Sequence, residues 1–186
     1  MTRFGVGIIA AASMTLPACA GPGITEALPP RDTSAWVQTD TTLYMLDAEW
    51  VGWETTIPFS YENATADTLY VANCNGQLNV TLEQWRDSRW IRNWGSLNHA
   101  CLSPPIVILP GAVYMDTLLF WGAEPGKHTG PEFETSQVEG LYRLVWNNLL
   151  YHYDHFNISG GEEVPLERRA SNSFVFNKRS GSLLGT

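Results

Sequence analysis

Beyond its N-terminus the sequence has no uninterrupted apolar run of 18 or more residues, so no internal transmembrane helix is expected. Charge is scarce, at 16% of residues, and positive charge scarcer still: 11 Lys and Arg stand against 19 Asp and Glu, for a net charge of −8. That shortage excludes the basic stripe that nucleic acid demands, so no nucleic-acid partner is expected. It also argues against a domain that clings to anionic lipid by charge. Chemistry-bearing motifs are missing too. There is no Gly-x-Ser-x-Gly elbow, no Gly-rich phosphate loop, no Cys-x-x-Cys and no His-Glu-x-x-His. The expectation is a protein that is not an enzyme and carries no cofactor. Helical periodicity is hard to find, and there are only three cysteines.

Hydrophobic residues are plentiful, at 44%, which supports a real core and argues against wholesale disorder. Eight Trp, seven Tyr and seven Phe favour pleated, half-buried surfaces and so lean toward strands. A length of 186 residues suits one domain with appendages.

The chain opens with Met1-Thr2-Arg3, then a small and apolar run from Phe4 to Met14, then Thr15-Leu16-Pro17-Ala18-Cys19. One positive charge, an apolar stretch of about a dozen residues and a small residue before a cut describe a signal peptide over residues 1–18. Leu16, Ala18 and Cys19 resemble the lipobox of bacterial lipoproteins at positions −3, −1 and +1; Pro17, at −2, departs from that pattern. The resemblance implies diacylglycerol on the Cys19 sulfur, an acyl chain on its amine, and stable anchoring to a lipid bilayer, since several chains hold where one does not. Ala20 at +2 is not Asp, which implies the outer membrane of the cell envelope, on its periplasmic side. The alternative is cleavage near Ala18 or Ala20 and free secretion. An odd cysteine in an exported chain needs an explanation; lipidation of Cys19 supplies it and leaves Cys74 and Cys101 to form a disulfide.

Residues 19–40, with Pro29-Pro30 among Gly, Thr and Ser, read as a tether, although Trp36 is placed to touch the domain. The folded domain is expected over 41–178 and a frayed tail over 179–186. Ile57, Phe59 and Tyr61 alternate with polar residues, with Pro58 marking an edge or a bulge. Leu69 to Cys74 reads as a returning strand, Asn75-Gly76 as a hairpin turn, and Leu78, Val80 and Leu82 as the cleanest strand. The stretch from Trp85 to Trp90 reads as a turn before a strand through Ile91 and Trp94. Further strands are expected at Ile106 to Leu109, Val113 to Trp121, Gly140 to Trp146 and around Phe174 and Phe176. Residues 122–140 look like an exposed loop. The fold class is therefore all-β, with a sandwich ahead of a barrel.

Pro110-Gly111, the long strand ending in Trp121 and Gly140-Leu141-Tyr142-Arg143-Leu144 resemble the late strands of immunoglobulin-like domains of bacterial secreted proteins. The pattern is also distantly similar to the intracellular proteinase inhibitor fold group. The resemblance covers roughly residues 57–146. It implies an immunoglobulin-like antiparallel β-sandwich in which Tyr142 secures a strand corner.

Among candidate sites, Trp85, Trp90 and Trp94 interleave with Arg86, Arg89 and Arg92. Trp85, Arg86, Arg89, Trp90 and Trp94 form a candidate recognition surface, because exposed Trp and Arg make binding hot spots or sugar platforms; at least one Trp is expected in the core. His152, Asp154 and His155 supply no three metal ligands in either strand or helix geometry, so no metal site is assigned; His99 or His128 could complete one only by folding nearby. Glu132, Glu134, Glu139, Glu162 and Glu163 read as solvated loop charge. Asn63, Asn79 and Asn157 stand in glycosylation sequons, read as chance matches. Three functions follow: an envelope lipoprotein that binds a protein or glycan partner or serves structurally, a secreted proteinase inhibitor using the 122–140 loop, and a metal-dependent enzyme at His152 and His155.

Overall fold

The computed structural model describes residues 32–97, 103–153 and 161–179. The expected signal peptide, Cys19, Cys101, His99, Asp154, His155, Asn157 and the tail after Arg179 lie outside them. The fold is all-β. In chain order the elements are β1 (Val37–Thr39), β2 (Leu43–Glu49), β3 (Gly52–Glu62), β4 (Leu69–Val71), β5 (Asn73–Cys74), β6 (Gln77–Leu78), β7 (Val80–Arg86), β8 (Arg89–Gly95), β9 (Ile106–Ile108), β10 (Val113–Ala123), β11 (Gly140–Trp146), β12 (Leu149–Leu150), α1 (Leu166–Arg169) and β13 (Phe174–Lys178). The main sheet runs β1-β3-β2-β13-β11-β7-β8, with β10 on the other side of β3. All its pairings are antiparallel except β2 with β13. Among the described residues, no helix is long and apolar enough to cross a membrane.

β2 divides its pairing: Leu43 to Leu46 lie along β13, while Asp47 to Glu49 lie along β3. The sheet thereby turns back on itself, and its two halves meet through aromatic rings. Phe59 and Tyr61 of β3 and Tyr114 of β10 contact Trp146 of β11, at centroid distances of 5.8, 5.4 and 5.4 Å. Phe120 of β10 meets Phe176 of β13 at 5.4 Å. Period-two alternation sends these residues inward, and Trp146, Tyr61, Phe120 and Phe176 are fully buried. Burial of each large side chain is worth about 1.5–3 kcal/mol. Trp146→Ala, which empties the centre of the cluster, would cost about 3–5 kcal/mol. At one end β3 and β10 approach closely enough to need glycine: a Cβ on Gly52 would lie 2.3 Å from the Gly122 carbonyl oxygen.

Several local expectations are corrected. The ordered chain begins before residue 41, because β1 pairs with β3 and Trp36 packs on the core. Pro58 lies in an interior strand. Its neighbours toward β1 pair at residues 59–61 and toward β2 at 52–54, so its missing N–H falls in the gap between the two, while its carbonyl accepts from Asp40 N–H at 3.2 Å. Leu69 to Cys74 does not return along β3: β4 joins β9 and β12 in a separate three-stranded sheet, and β5 pairs with β6. The chain stays in β7 through Arg86, so the turn after Trp85 is only two residues long. Lys178 belongs to β13, and Arg179 pairs with Asp47 at 2.8 Å.

Candidate binding surface

The β7–β8 hairpin turns on Asp87 and Ser88, both in left-handed conformation (φ 51° and 60°). A two-residue turn of this kind matches the twist of its strands and fixes the register. Trp85 is thus set opposite Trp90, and Arg86 opposite Arg89. The Trp85 and Trp90 rings meet edge-on with centroids 5.2 Å apart, and Trp85 is 43% exposed. The Arg143 guanidinium of β11 lies 4.8 Å from the Trp90 ring centre. Arg143 is held there by Glu83, whose Oε2 accepts from Nε and Nη2 at 2.7 and 2.6 Å. The outer face therefore presents two indole rings and a fixed guanidinium, with the exposed Arg89 at the tip. Such a face can stack on a sugar ring or grip an aromatic or acidic side chain. The same Trp pair braces the hairpin by roughly 0.2–1 kcal/mol.

Two members of the expected surface lie elsewhere. Trp94 is core: it is 2% exposed, packs on Phe120 at 4.9 Å and donates from Nε1 to the Trp121 carbonyl at 3.0 Å. Strict alternation would put Trp90, Arg92 and Trp94 on one face. A β-bulge intervenes, because Glu83 opposes Arg92 while Leu82 opposes Trp94. The extra residue, Asn93, reverses the phase and turns Trp94 inward. Arg86 is half-buried, one step out of phase with Trp85, and among the described residues its Nε has no partner.

The bulge carries a polar network that the sequence reading missed. Asn93 is fully buried; its amide donates to the Tyr142 hydroxyl at 2.7 Å and to Gln84 Oε1 at 3.2 Å, and its Oδ1 accepts from Thr135. Gln84 Nε2 donates to the Glu139 carbonyl at 2.9 Å, and the Tyr142 hydroxyl to the Val138 carbonyl at 3.0 Å. One signal was available: Gln84 shares the inward phase of Val80 and Leu82. The network draws down the segment after residue 130, where Phe133 and Val138 are buried, so the 122–140 loop is exposed only in part. Residues 124–129 form its exposed turn. The Glu132 carboxylate accepts there from Gly126 N–H at 2.8 Å and His128 N–H at 2.5 Å, and these bonds, Gly126 first, lower its pKa. Three of the other loop carboxylates also have partners: Glu134 faces Arg92, Glu163 binds Arg169, and Glu139 accepts from Lys178 N–H.

Strand direction locates this surface on the molecule. The chain enters at Val37 beside Tyr61, at one rim. β3 begins at the opposite rim, where the β2–β3 turn exposes 95% of Trp50. β7 runs antiparallel to β11, β11 to β13, and β13 parallel to β2. The Asp87-Ser88 tip therefore shares the Trp50 rim, away from the point of chain entry.

Other candidates gather less. His152 is exposed, and among the described residues no group of three His, Cys, Asp or Glu is placed to hold a metal. Asn63 is buried, donating its amide to the Asp67 and Ile108 carbonyls, so its sequon cannot take a glycan in the folded state. Comparison with protein-family models, with curated protein sequences and with solved structures finds no match.

Proposed function

We propose that this chain is a non-enzymatic binding module of the cell envelope, anchored through a lipid on Cys19 and meeting a protein or glycan partner at the rim that carries Trp50, Trp85 and Trp90. The observation that carries the reading is the pair of exposed Trp85 and half-buried Trp90 with its fixed Arg143, on the rim away from chain entry. A tether attached at Val37 leaves that rim facing outward from the membrane. The leader and lipobox pattern over residues 1–19 supply the anchor.

An immunoglobulin-like sandwich is the finer fold reading. Three features support it: an early strand, β2, divided between the two halves of the sheet, its parallel pairing with the last strand, and the Tyr142 hydroxyl reaching back to Val138 in the manner of a tyrosine corner. The same reading pairs Cys74 with Cys101. Asn75 N–H donates to Ser103 Oγ at 2.9 Å and Asn73 Nδ2 to the Pro104 carbonyl at 2.9 Å, which brings the chain two residues after Cys101 alongside Cys74. Closing that loop would contribute about 3–4 kcal/mol.

The test is binding to isolated envelope glycan and to envelope protein, comparing the wild-type chain with Trp85→Ala/Trp90→Ala. Hot-spot truncations cost about 2 kcal/mol or more, so affinity is expected to fall at least about 30-fold with the melting temperature little changed. Equal binding by both chains would refute the assignment. A proteinase inhibitor is the second reading, favoured by the exposed turn at 124–129 that Glu132 fixes. Its positive φ values at Gly126 and His128 give a turned rather than an extended main chain. Failure to slow any member of a broad protease panel removes it.

A further inference from the structure

Among the described residues, no strand pairs with the edge of β10 that faces away from β3. On β3, the Pro58 carbonyl and the Glu62 N–H point toward β1, so the odd-numbered residues point toward β10. Through the register Phe59 with Asp116 and Tyr61 with Tyr114, the even-numbered residues of β10 face β3 and the odd-numbered ones face away. At the upper end this outward edge is closed. Ala123 exchanges hydrogen bonds with Pro131 and Phe133, and the Trp121 carbonyl accepts from Trp94. From Val113 to Leu119 it is open: among the described residues only the Thr117 N–H has a partner, the carboxylate of its neighbour Asp116 at 2.7 Å. A groove of about 420 Å³ runs beside the edge, with Leu78, Val80, Trp94, Leu97 and Trp121 among its walls.

The outer-face side chains of the same odd-numbered residues are apolar except Thr117 at the centre. Val113, Met115 and Leu119 are 58%, 77% and 79% exposed, and Trp121 is half-buried. No Lys, Arg, Pro or bulge interrupts the strand, although these are the usual guards of an edge. The pattern is self-complementary. A two-fold axis at Thr117 sets Val113 opposite Trp121 and Met115 opposite Leu119 of a second copy, apolar against apolar, and offers the open N–H and C=O groups to one another.

We propose that two copies of this chain associate edge to edge through antiparallel β10 strands centred on Thr117. The nine residues from Val113 to Trp121 span about 30 Å, and a strand edge is about 10 Å deep, so the pairing covers roughly 300 Å² per copy. Stable dimers bury on the order of 1,200 Å² or more in total, so this association is weak and concentration-dependent. Asp116 is the local opponent, because its carboxylate must release the Thr117 N–H before the strands join.

The test is oxidative cross-linking of the purified full chain over a concentration series. In the proposed register the two Thr117 Cα atoms lie about 5.5 Å apart, inside the range that a disulfide spans. Thr117→Cys is expected to give a covalent homodimer that grows with concentration. Met115→Cys alone, offset from its own copy by on the order of 13 Å, is expected to give at least tenfold less. An equal mixture of Met115→Cys and Leu119→Cys chains should cross-link, and adding Met115→Lys to Thr117→Cys should reduce the dimer at least tenfold. No dimer with Thr117→Cys, or equal yield from Met115→Cys alone, would overturn the proposal. So would Thr117→Cys adducts formed in cells only with a different protein.

Discussion

The two edges of the main sheet are finished differently. At the β8 edge the strand bulges at Asn93, presents the exposed charges Arg89 and Arg92, and is overlaid by residues 133–135: Glu134 N–H donates to the Asn93 carbonyl at 2.8 Å, and the Glu134 carboxylate faces Arg92. At the β10 edge there is no bulge and no basic residue, and an apolar stripe flanks the open backbone. Proteins guard edges because an open ladder recruits another strand. One edge of this domain is sealed by its own chain, and the other is left able to pair. The proposed recognition surface lies on the sealed side, where Trp90 is outside and the bulge sends Trp94 into the core.

The strongest way to break the contrast is alkaline pH, which attacks both sides. Tyr142 on the β8 side and Tyr114 on the β10 side have phenol pKa values pushed upward, chiefly by burial; Tyr114 is also raised by its hydrogen bond to Asp116, and Tyr44 and Tyr61 shift the same way. A folded pKa above the unfolded value of about 10 stabilises the fold fully below that pH, and the contribution is lost as pH rises. Denaturant melts should show constant stability from tyrosine up to about pH 10 and a steep decline above it. A flat profile to pH 12 would contradict the burial of these hydroxyls.

Asn93→Ala should have the next largest effect. It removes the amide shared by Tyr142 and Gln84 and leaves buried polar groups unpaired, at a cost of about 3 kcal/mol. Amide exchange in 133–139 should accelerate while β10 is unaffected; equal acceleration in β10 would mean that the two edges are not independent. Arg92→Ala sharpens the contrast at the small end. The pair with Glu134 is exposed on both sides and 3.7 Å apart. Its loss should therefore cost only a few tenths of a kcal/mol by thermal melt.

Much of the strand layout was legible in the sequence, because inward residues recur with period two: Ile57, Phe59 and Tyr61 in β3, and Tyr142, Leu144 and Trp146 in β11. What failed shares a physical cause. Alternation assumes an unbroken ladder, so the bulge at Asn93 misplaced Trp94. Pro58 signals an edge only when its neighbour is one continuous strand, and here the neighbour is two. The short β4, β9 and β12 pairings are set by tertiary contacts across distant sequence, which local pattern does not carry. Of the site, the Trp85–Trp90 pair followed from sequence once the turn was two residues long. The Arg143–Glu83 pair beneath it did not, since it depends on which strands become neighbours.

The proposed anchor at Cys19 would give the two rims their orientation, and the intact mass of the mature protein tests it most directly. Measured on material extracted from membranes, with and without reduction, the account predicts a chain beginning at Cys19 with three acyl chains, lighter by two hydrogens before reduction. An unmodified chain beginning after the leader would contradict it: the protein would be freely secreted, and no rim would be set to face away from a membrane.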